Sequence, residues 1–436
     1  MASKQELIQA QKFSRRRLLT AFVSGAPGGR ELAPTKPLRG VVLGAVLAVL
    51  VLLGTLIAGV FTGGLQDGWE NSSIVMVEDE GTRYVAVNGT LYPVLNLSSA
   101  RLITSTTEVV EASAEDLDGM ERAPAPRGIA GAPDALPGGD RLLGGVWTAC
   151  AAPEGEVATG VGPSAALPAE DVAVLVTNED RYFYIAGGYR YEVSFASLSA
   201  LQLTLGLDAT EVHEVSASWL NLYQQGTPLA PVVLGQEGQP AGGAAGDMDL
   251  KVGQLIEVVD STQERIGMYV VSEDSTLAPI SDFALEIYAL GVNDESLMEP
   301  RQLTAGDVEA IERADTGMFP TDWPEQRPDP VTGAPCARLD TSVENPTATL
   351  TQNRDPVTAG VAVEPGHAVL VAAAGSGDGN AWGFIDERGT YFPVATVEDV
   401  ERLGYTVDSA TTVPAAWVRL FPQGPELSQA AAMGAT

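Results

Sequence analysis

One long apolar segment separates two otherwise more polar parts of the chain. Residues 40–61 read GVVLGAVLAVLVLLGTLIAGVF, a run of 22 residues without a charged side chain. At about 1.5 Å per residue, a helix of this length crosses a hydrocarbon core of about 30 Å. The pattern predicts a single transmembrane helix at residues 40–61.

The charges on either side of this segment indicate its orientation. Lys36 and Arg39 directly precede the segment, whereas acidic residues follow it. Because basic flanks stay on the cytoplasmic side, we predict that residues 1–39 are cytoplasmic and residues 62–436 extracytoplasmic. A cleaved signal peptide is the alternative, but its apolar core would be only about 7–15 residues long and would lie closer to the N-terminus.

The N-terminal segment has a helix-forming pattern of its own. Between Lys4 and Gly25, apolar residues alternate with a basic cluster formed by Arg15, Arg16 and Arg17. This composition predicts a basic amphipathic helix beside the membrane. Such a helix would bind lipid headgroups or dock onto a partner protein, and both interpretations stay open.

Beyond the apolar segment, one pattern of strands and a helix recurs four times. Each copy reads as a strand, a turn, a second strand, a tight turn, a short third strand and a short helix. The copies cover residues 74–103, 172–206, 254–291 and 367–404, and the third is the most divergent. The prediction is an α+β extracytoplasmic domain of four β-meander/short-helix repeats around a central β portion.

Turn and proline residues mark equivalent places in these copies. A glycine-containing turn is typical of a tight hairpin between the second and third strands. The glycines are Gly89, Gly188 and Gly389, with Ser275 in the corresponding place of the third copy. Prolines of the third strand are Pro93, Pro279 and Pro393.

Each predicted helix has recognisable start and stop signals. Polar residues suited to N-capping are Asn96, Ser194, Ser281 and Thr396. Glycines suited to a left-handed helix end are Gly206, Gly291 and Gly404, and the first copy lacks one.

A second duplication follows the second and fourth copies. Residues 215–229 match residues 413–427 at seven of fifteen positions, and Trp219 and Trp417 occupy equivalent places. Large aromatic residues in such places are more often core anchors than ligand platforms. We therefore predict that both tryptophans are buried.

The chain has two cysteines, Cys150 and Cys336, and both follow the apolar segment. Because an extracytoplasmic compartment permits disulfides, we predict that they pair. Two separate buried thiols are the alternative. The segments around these cysteines are the candidates for the central β portion.

The charge distribution changes sharply at the apolar segment. Residues 1–39 contain eight basic and two acidic residues, a balance of +6, and the remainder contains 17 basic and 55 acidic residues, a balance of −38. So acidic a domain repels nucleic acid and anionic lipid. The sequence therefore excludes phosphate-rich polymers as its natural ligands.

Motifs for catalysis or metal binding are few. His213 and His367 are the only histidines and neither is near a cysteine in sequence, so no metal site is predicted. No lysine follows a glycine, which excludes a P-loop, and the glycine-rich residues 374–380, with Asp378 and Asn380, read as a turn. No cofactor is predicted. A weak noncanonical nucleotide hydrolase and a cell-wall-binding module are the alternative functions.

Several segments, in their order and spacing, resemble the EccB family of type VII secretion. They are QAQKFSRRRLLTAF near the N-terminus, the apolar segment, residues 77–103, PRGIAGAPDALPG, WTAC, WLNLYQQGTPLAP and WVRLFPQGPEL. The resemblance implies a cytoplasmic N-terminus, one membrane helix and an elongated periplasmic domain of four repeats around a central β portion, crosslinked by the two cysteines.

The same resemblance implies a function and a set of partners. EccB proteins are structural subunits of a ring-shaped complex with EccC (the motor ATPase), EccD and EccE, near the mycosin protease, in the inner membrane of actinobacteria. The complex exports small helical WXG-type proteins. Self-association within this ring is therefore expected. Some family members are described as ATPases, although this chain has no phosphate-binding motif that would explain such an activity.

Overall fold

The structure is a computed structural model that describes residues 4–24, 41–52, 68–78, 81–134, 136–207, 212–314, 317–375 and 381–434. The chain divides into two compact units, Met1–Asp67 and Gly68–Thr436. In the first unit, α1 covers Lys4–Ser24 and α2 covers residues 41–52.

The predicted membrane span is only partly covered by the described residues. Gly40 and residues 53–61 lie outside them. Within the described part of the chain, no helix has both the length and the apolar character needed to cross a bilayer.

The second unit is α+β, and its elements follow one another in an orderly sequence. The first group comprises β1 (Ser73–Val77), β2 (Arg83–Val87), β3 (Thr90–Pro93), α3 (Leu97–Thr104), β4 (Val109–Ala112), β5 (Glu121–Arg122), β6 (Val146–Ala151) and β7 (Val157–Val161). The second group comprises β8 (Val172–Asn178), β9 (Arg181–Ala186), β10 (Tyr189–Val193), α4 (Phe195–Thr204), β11 (His213–Glu214), α5 (Ala217–Leu220) and β12 (Gln224–Gln225).

The remaining elements complete the unit. The third group comprises α6 (Gly243–Asp247), β13 (Leu255–Val259), β14 (Arg265–Val271), β15 (Leu277–Pro279), α7 (Asp282–Ala289), β16 (Arg301–Thr304) and β17 (Asp329–Pro330). The last comprises β18 (Ala334–Asp340), β19 (Ala348–Asn353), β20 (Gly360–Val363), β21 (Val369–Ala374), β22 (Ala381–Ile385), β23 (Tyr391–Val394), α8 (Val397–Arg402), β24 (Thr411–Pro414), α9 (Ala415–Val418) and α10 (Gln429–Met433). Short 3₁₀ helices lie between several of these elements.

Five sheets result from these strands. The outer four have the orders β4-β1-β2-β3-β5, β11-β8-β9-β10-β12 with β17 also on β8, β15-β14-β13-β16, and β23-β22-β21-β24. We refer to them as the first to fourth sheets. The central sheet has the order β19-β18-β6-β7-β20 and is built from the two cysteine-containing segments and their neighbours.

Each outer sheet contains a strand that the sequence pattern does not predict. After the helix, β4, β11, β16 and β24 return to lie parallel to the first strand of their own sheets. Three antiparallel strands, a helix and a parallel fourth strand therefore form the common plan. These return strands contain only two to four residues each, which is too short for an alternating pattern to be recognised.

The turns between the second and third strands use left-handed residues. Asn88 and Gly89 both have positive φ, as a type I′ hairpin requires. In the fourth sheet Gly389 is left-handed and its N–H donates to Asp386 O. Ser275 has a φ of 63° in the corresponding turn of the third sheet.

The helix caps agree with the sequence at the N-termini and differ at one C-terminus. The side chains of Asn96, Ser194, Ser281 and Thr396 each accept a hydrogen bond from a backbone N–H of the first turn. Gly206 and Gly404 are left-handed, and Ser105 takes that conformation in the first sheet. The prediction for Gly291 is wrong: its φ is not positive, and glycine is needed there because a Cβ would lie 2.4 Å from Val232 O.

Candidate functional site

The central sheet presents two chemically different faces. Strands β6 and β18 are antiparallel, with Trp147 opposite Leu339 and Cys150 opposite Cys336. Since side chains alternate across a strand, the tryptophan and leucine share one face and the two cysteines share the other. The first face is apolar and fully buried. The second carries the disulfide and several polar side chains.

The apolar face joins the second and fourth sheets into one hydrophobic core. This core contains Val174 of β8 and Val371 of β21 together with Trp147 and Leu339 of the central sheet. Trp219 of α5 and Trp417 of α9 lie in the same core and are 0% exposed. Two sheets far apart in sequence are therefore packed on one common base.

The two equivalent tryptophans make different contacts within this core. The indole N–H of Trp219 donates to Ala149 O on β6 over 2.8 Å. The Trp417 ring instead lies edge-on to Trp147, with ring centroids 6.4 Å apart. Among the described residues, the indole N–H groups of Trp147 and Trp417 have no hydrogen-bond acceptor. The duplication therefore preserves the position of the ring and not its polar contact.

The Gln-Gly pairs that follow these tryptophans have a common steric reason. A Cβ on Gly226 would lie 2.5 Å from the ring of Tyr191, and one on Gly424 would lie 2.4 Å from the ring of Phe392. Both aromatic residues belong to the third strand of their sheets. The Tyr191 hydroxyl donates to Asp322 O, and burial raises the pKa of this phenol. Glycine lets the returning chain lie directly on the aromatic ring.

The hairpin turns of the same two sheets contact opposite edges of the central sheet. Gly187 O accepts from the backbone N–H of Leu350 on β19, and a Cβ on Gly188 would lie 3.0 Å from Ala348 O. At the other edge, a Cβ on Gly389 would lie 2.3 Å from Val361 on β20. Both edge strands are thus covered, which prevents further strands from pairing there.

The disulfide lies on the polar face. Cys150 and Cys336 are bonded, as the sequence predicts, and are 5% and 0% exposed. A surface segment, residues 163–170, crosses this face, and we call it the strap. Side chains of three central strands donate to its carbonyls: Thr148 to Ala165, Arg338 to Leu167 and Thr351 to Pro168, over 3.1, 3.0 and 2.7 Å.

Glycine and a carboxylate hold the strap in place. A Cβ on Gly160 of β7 would lie 2.4 Å from Ala165 Cβ, so glycine permits the close approach. Glu170 accepts two hydrogen bonds from Arg354, over 2.8 and 2.9 Å, and one from Gln352 over 2.7 Å. The Arg354 hydrogen bonds, and then that of Gln352, lower the pKa of Glu170. The strap leads directly into β8.

The first and fourth sheets meet through reciprocal arginine contacts between their helices. Arg101 of α3 donates to Leu403 O just after α8, over 2.9 Å, and Arg402 of α8 donates to Leu102 O of α3 over 3.4 Å. Cations near the carboxyl ends of helices are stabilised by the helix dipole and by the free carbonyls there. Burial lowers the pKa of Arg101. The beginning and end of the second unit are thereby joined.

The remaining predicted positions occupy varied places. Gly89 lies in an open turn, where an added Cβ would meet nothing within 4 Å. Pro93 and Pro279 end β3 and β15, and Pro393 lies within β23. Arg15, Arg16 and Arg17 lie on α1. Lys36, Arg39, Asp378 and Asn380 lie outside the described residues.

Binding chemistry receives limited support from the described part of the chain. No group of three or more His, Cys, Asp or Glu residues within it could hold a metal ion. Four of the six tryptophans, Trp147, Trp219, Trp323 and Trp417, are buried in cores and cannot stack on a sugar. The side chains of the junction serve packing and internal hydrogen bonds, an arrangement suited to a rigid scaffold.

The strap and the helix-end arginines are features that the sequence analysis missed. A signal for the strap exists in Gly160 and in the prolines of residues 163–168, but it does not identify the sheet that the strap crosses. The arginines Arg101 and Arg402 stand near predicted helix ends, and that position is a signal for capping of helix carbonyls. Their exchange between helices depends on long-range packing.

Comparison with protein families gives a match along nearly the whole chain. The family model described as "Type VII secretion system ESX-1, transport TM domain B" covers residues 2–436. The ESX-3 secretion system ATPase EccB3 of Mycolicibacterium smegmatis is 27% identical over 448 residues, which cover 91% of this chain and 83% of that protein. The ESX-2 secretion system ATPase EccB2 of Mycobacterium tuberculosis H37Rv is 26% identical, with 83% and 81% covered.

Solved structures share the fold. A chain of an intact ESX-5 inner membrane complex has a TM-score of 0.66 at 22% identity, with 99% of this chain and 95% of that chain covered. The EccB3 dimer from the ESX-3 core complex also gives a TM-score of 0.66 at 22% identity, with 83% and 99% covered.

Proposed function

This chain belongs to the EccB family of type VII secretion systems, and from that premise we propose that it is a structural subunit of a type VII secretion complex in the inner membrane. The family match over residues 2–436 is the observation that carries the proposal. In this arrangement residues 1–39 are cytoplasmic, residues 40–61 cross the membrane once, and residues 62–436 form the periplasmic part of the assembly.

The disulfide supports the periplasmic location of the second unit. The Cys150–Cys336 bond joins two central strands, and such bonds persist in oxidising compartments rather than in the cytoplasm. The strong negative charge beyond the apolar segment supports a soluble domain that stays away from anionic lipid.

We propose that the four outer sheets are copies of one ancestral repeat arranged in an elongated domain around the central sheet. The shared order of three antiparallel strands, a capped helix and a parallel return strand supports this interpretation. Repeats of this kind offer several similar surfaces to different partners.

The proposed partners are EccC, EccD, EccE, the mycosin protease and further copies of this chain. One structural neighbour is part of an intact ESX-5 inner membrane complex, and another is a dimer from an ESX-3 core complex. By this proposal the complex exports small WXG-type proteins, and the junction between the second, fourth and central sheets keeps the periplasmic part rigid.

Copurification tests the proposal directly. A tag on the full-length chain, solubilised in mild detergent, should recover EccC, EccD and EccE in stable proportions. Deletion of the gene should stop export of the WXG-type proteins, and the intact gene should restore it. Recovery of the chain alone under several mild detergents, with export unaffected by deletion, would exclude this function.

Protease accessibility tests the proposed orientation. In intact spheroplasts, added protease should digest residues 62–436 and leave the N-terminal segment bound to the membrane. A cytoplasmic protein serves as the control for lysis. Complete protection of the second unit in spheroplasts that remain intact would place it inside the cell.

Nucleotide hydrolysis is a second candidate function, because the curated relatives are named ATPases. Turnover by the purified full-length chain should then fall when Asp378 and Asn380 are replaced by Ala. Equal turnover by both proteins would assign the activity to a contaminant or to other residues.

A further inference from the structure

Helix α4 carries an apolar surface that nothing in the second unit covers. Its sequence, FASLSALQLT, contains no charged residue. Leu198 and Leu201 face the core, whereas Phe195 is 79% exposed and Leu203 is 85% exposed. Two large apolar side chains thus point into solvent from a helix that already buries its opposite face.

The exposed residues of α4 form one continuous stripe. Phe195, Ser199 and Leu203 are four residues apart and follow one side of the helix, with the exposed Ala196 and Ala200 beside them. The stripe is about 12 Å long at a rise of about 1.5 Å per residue. Its two ends are bulky and its middle is small.

The equivalent helices of the other sheets have no such surface. On α8 the exposed side carries Glu398 and Glu401. Helix α3 packs against α8 and α10, and α7 buries Phe283 and Ile287. The exposed apolar stripe is therefore particular to the second sheet among these four helices.

We propose that the α4 stripe docks onto the same stripe of a second copy of this chain. The two helices run antiparallel, with Phe195 against Leu203 of the partner subunit and Ser199 close to the two-fold axis. Because Ser199 lies midway between Phe195 and Leu203, the surface is complementary to itself under a two-fold rotation. This inference rests on the proposed function, since it assigns a surface to the self-association proposed there.

The charge of the chain favours a second copy as the occupant. The net charge is −32, so two copies repel each other over most of their surfaces. The uncharged stripe is a place where two such chains can approach without bringing carboxylates together. The small Ala196, Ser199 and Ala200 let two helix backbones come close, and the bulky ends then fill the space beside them.

The size of the stripe predicts how strong the contact is. A stable interface usually buries about 1,200–2,000 Å², which is more than one helix face of this length can supply. The contact is therefore weak by itself. Anchoring both chains in the same membrane raises their effective concentration and makes a weak contact sufficient.

A cysteine at the centre of the stripe tests this geometry. The described residues contain no free cysteine, because Cys150 and Cys336 are bonded to each other and are the chain's two cysteines. In the full-length chain, in native membranes, Ser199→Cys should form a disulfide-linked dimer under mild oxidation. Glu401→Cys on the exposed side of α8 is the matched control, and its dimer yield should be at least about tenfold lower.

A charge on the stripe tests the contact independently. Adding Leu203→Glu to the Ser199→Cys chain should lower the dimer yield at least about tenfold, because the contact would then bury an unpaired carboxylate. Leu203→Met is the control and should keep most of the yield. Unchanged folding of both variants is checked by the intact Cys150–Cys336 bond under nonreducing conditions.

Three results would overturn the inference. The first is no dimer from Ser199→Cys although the chain still copurifies with EccC, EccD and EccE, and in that case the proposed function stands. The second is crosslinking of Ser199→Cys to a different protein, identified by mass spectrometry. The third is a dimer whose yield ignores Leu203→Glu. Loss of all copurifying partners from the unmodified chain would instead contradict the proposed function.

Discussion

The second and fourth sheets share one plan and differ in what they show to the outside. Both contribute a fully buried tryptophan to the same core, both place a glycine on an aromatic ring, and both press a hairpin turn against an edge of the central sheet. Outside, α4 carries an apolar stripe, whereas α8 carries acidic residues and exchanges arginine contacts with α3. The surfaces facing the central sheet are alike, and the outward surfaces have diverged.

This difference indicates that the two sheets have separate outward roles. The fourth sheet uses its helix to join the beginning of the second unit to its end. The second sheet leaves its helix free for contacts outside the chain. A repeat whose inner face is fixed by packing can vary its outer face at little cost in stability, because exposed substitutions usually change stability only slightly.

Removing the disulfide should have the largest effect, since it weakens the base that both sheets share. Cys150 and Cys336 are separated by 186 residues, and the chain-entropy treatment gives about 5 kcal/mol for a loop of this length. Cys150→Ser with Cys336→Ser should lower the free energy of unfolding by up to that amount, measured by urea denaturation. Hydrogen exchange should increase in both sheets, and an increase in one sheet alone would contradict a shared base.

The two tryptophans provide a sharper comparison. Trp219→Ala and Trp417→Ala should each cost about 3–5 kcal/mol, because each leaves a large cavity in one core. Trp219→Ala should cost about 1 kcal/mol more, since it also removes the hydrogen bond to Ala149 O. Urea denaturation of the two variants measures the difference. A larger loss for Trp417→Ala would mean that the ring contact with Trp147 outweighs the hydrogen bond.

Local signals explain which parts of the fold could be predicted from the sequence. Asn88-Gly89 and the N-caps Asn96 and Thr396 work through bonds within a few residues, so their chemistry is legible in the sequence. The cysteine pair was predictable because only one pairing within the chain exists. Repetition strengthened the prediction of the elements themselves, since each copy supports the interpretation of the others.

The parts that could not be predicted depend on long-range contacts. The return strand His213–Glu214 is defined by its pairing with β8 and has no pattern of its own. Gly291 looks like a helix stop, yet its reason is the approach of Val232 O. The α4 stripe was also hidden, because an apolar helix reads as core until the structure shows which side is covered.

The glycines beside the aromatic rings test whether the two sheets are equivalent inside. Gly226→Ala and Gly424→Ala should each lower the free energy of unfolding by about 1–3 kcal/mol, because the new methyl group overlaps a buried ring. The two losses should be similar. Gly139→Ala is the control, since a Cβ there meets nothing within 4 Å. A loss at only one of the two sites would show that one ring can move aside.

The smallest expected effect concerns the different ways in which the chain enters the two sheets. The second sheet is entered through the strap, where Glu170 binds Arg354 and Gln352. The fourth is entered through backbone hydrogen bonds between Ala368 and residues 141 and 143, which do not titrate. Acid should therefore loosen the second entry and spare the fourth.

The sign of this pH dependence follows from the lowered pKa of Glu170. A carboxyl group with a lower pKa in the folded state stabilises that state above its unfolded pKa, near the ordinary value of 4.5, and the contribution disappears as the pH falls through the folded pKa. Glu170→Gln should thus raise hydrogen exchange in β8 at pH 7 and have no effect near pH 3. Exchange in β21 should be the same in both proteins throughout. Because the pair is largely exposed, the effect should also shrink at high salt, and an effect that salt leaves unchanged would show that Glu170 acts through packing rather than through its charge.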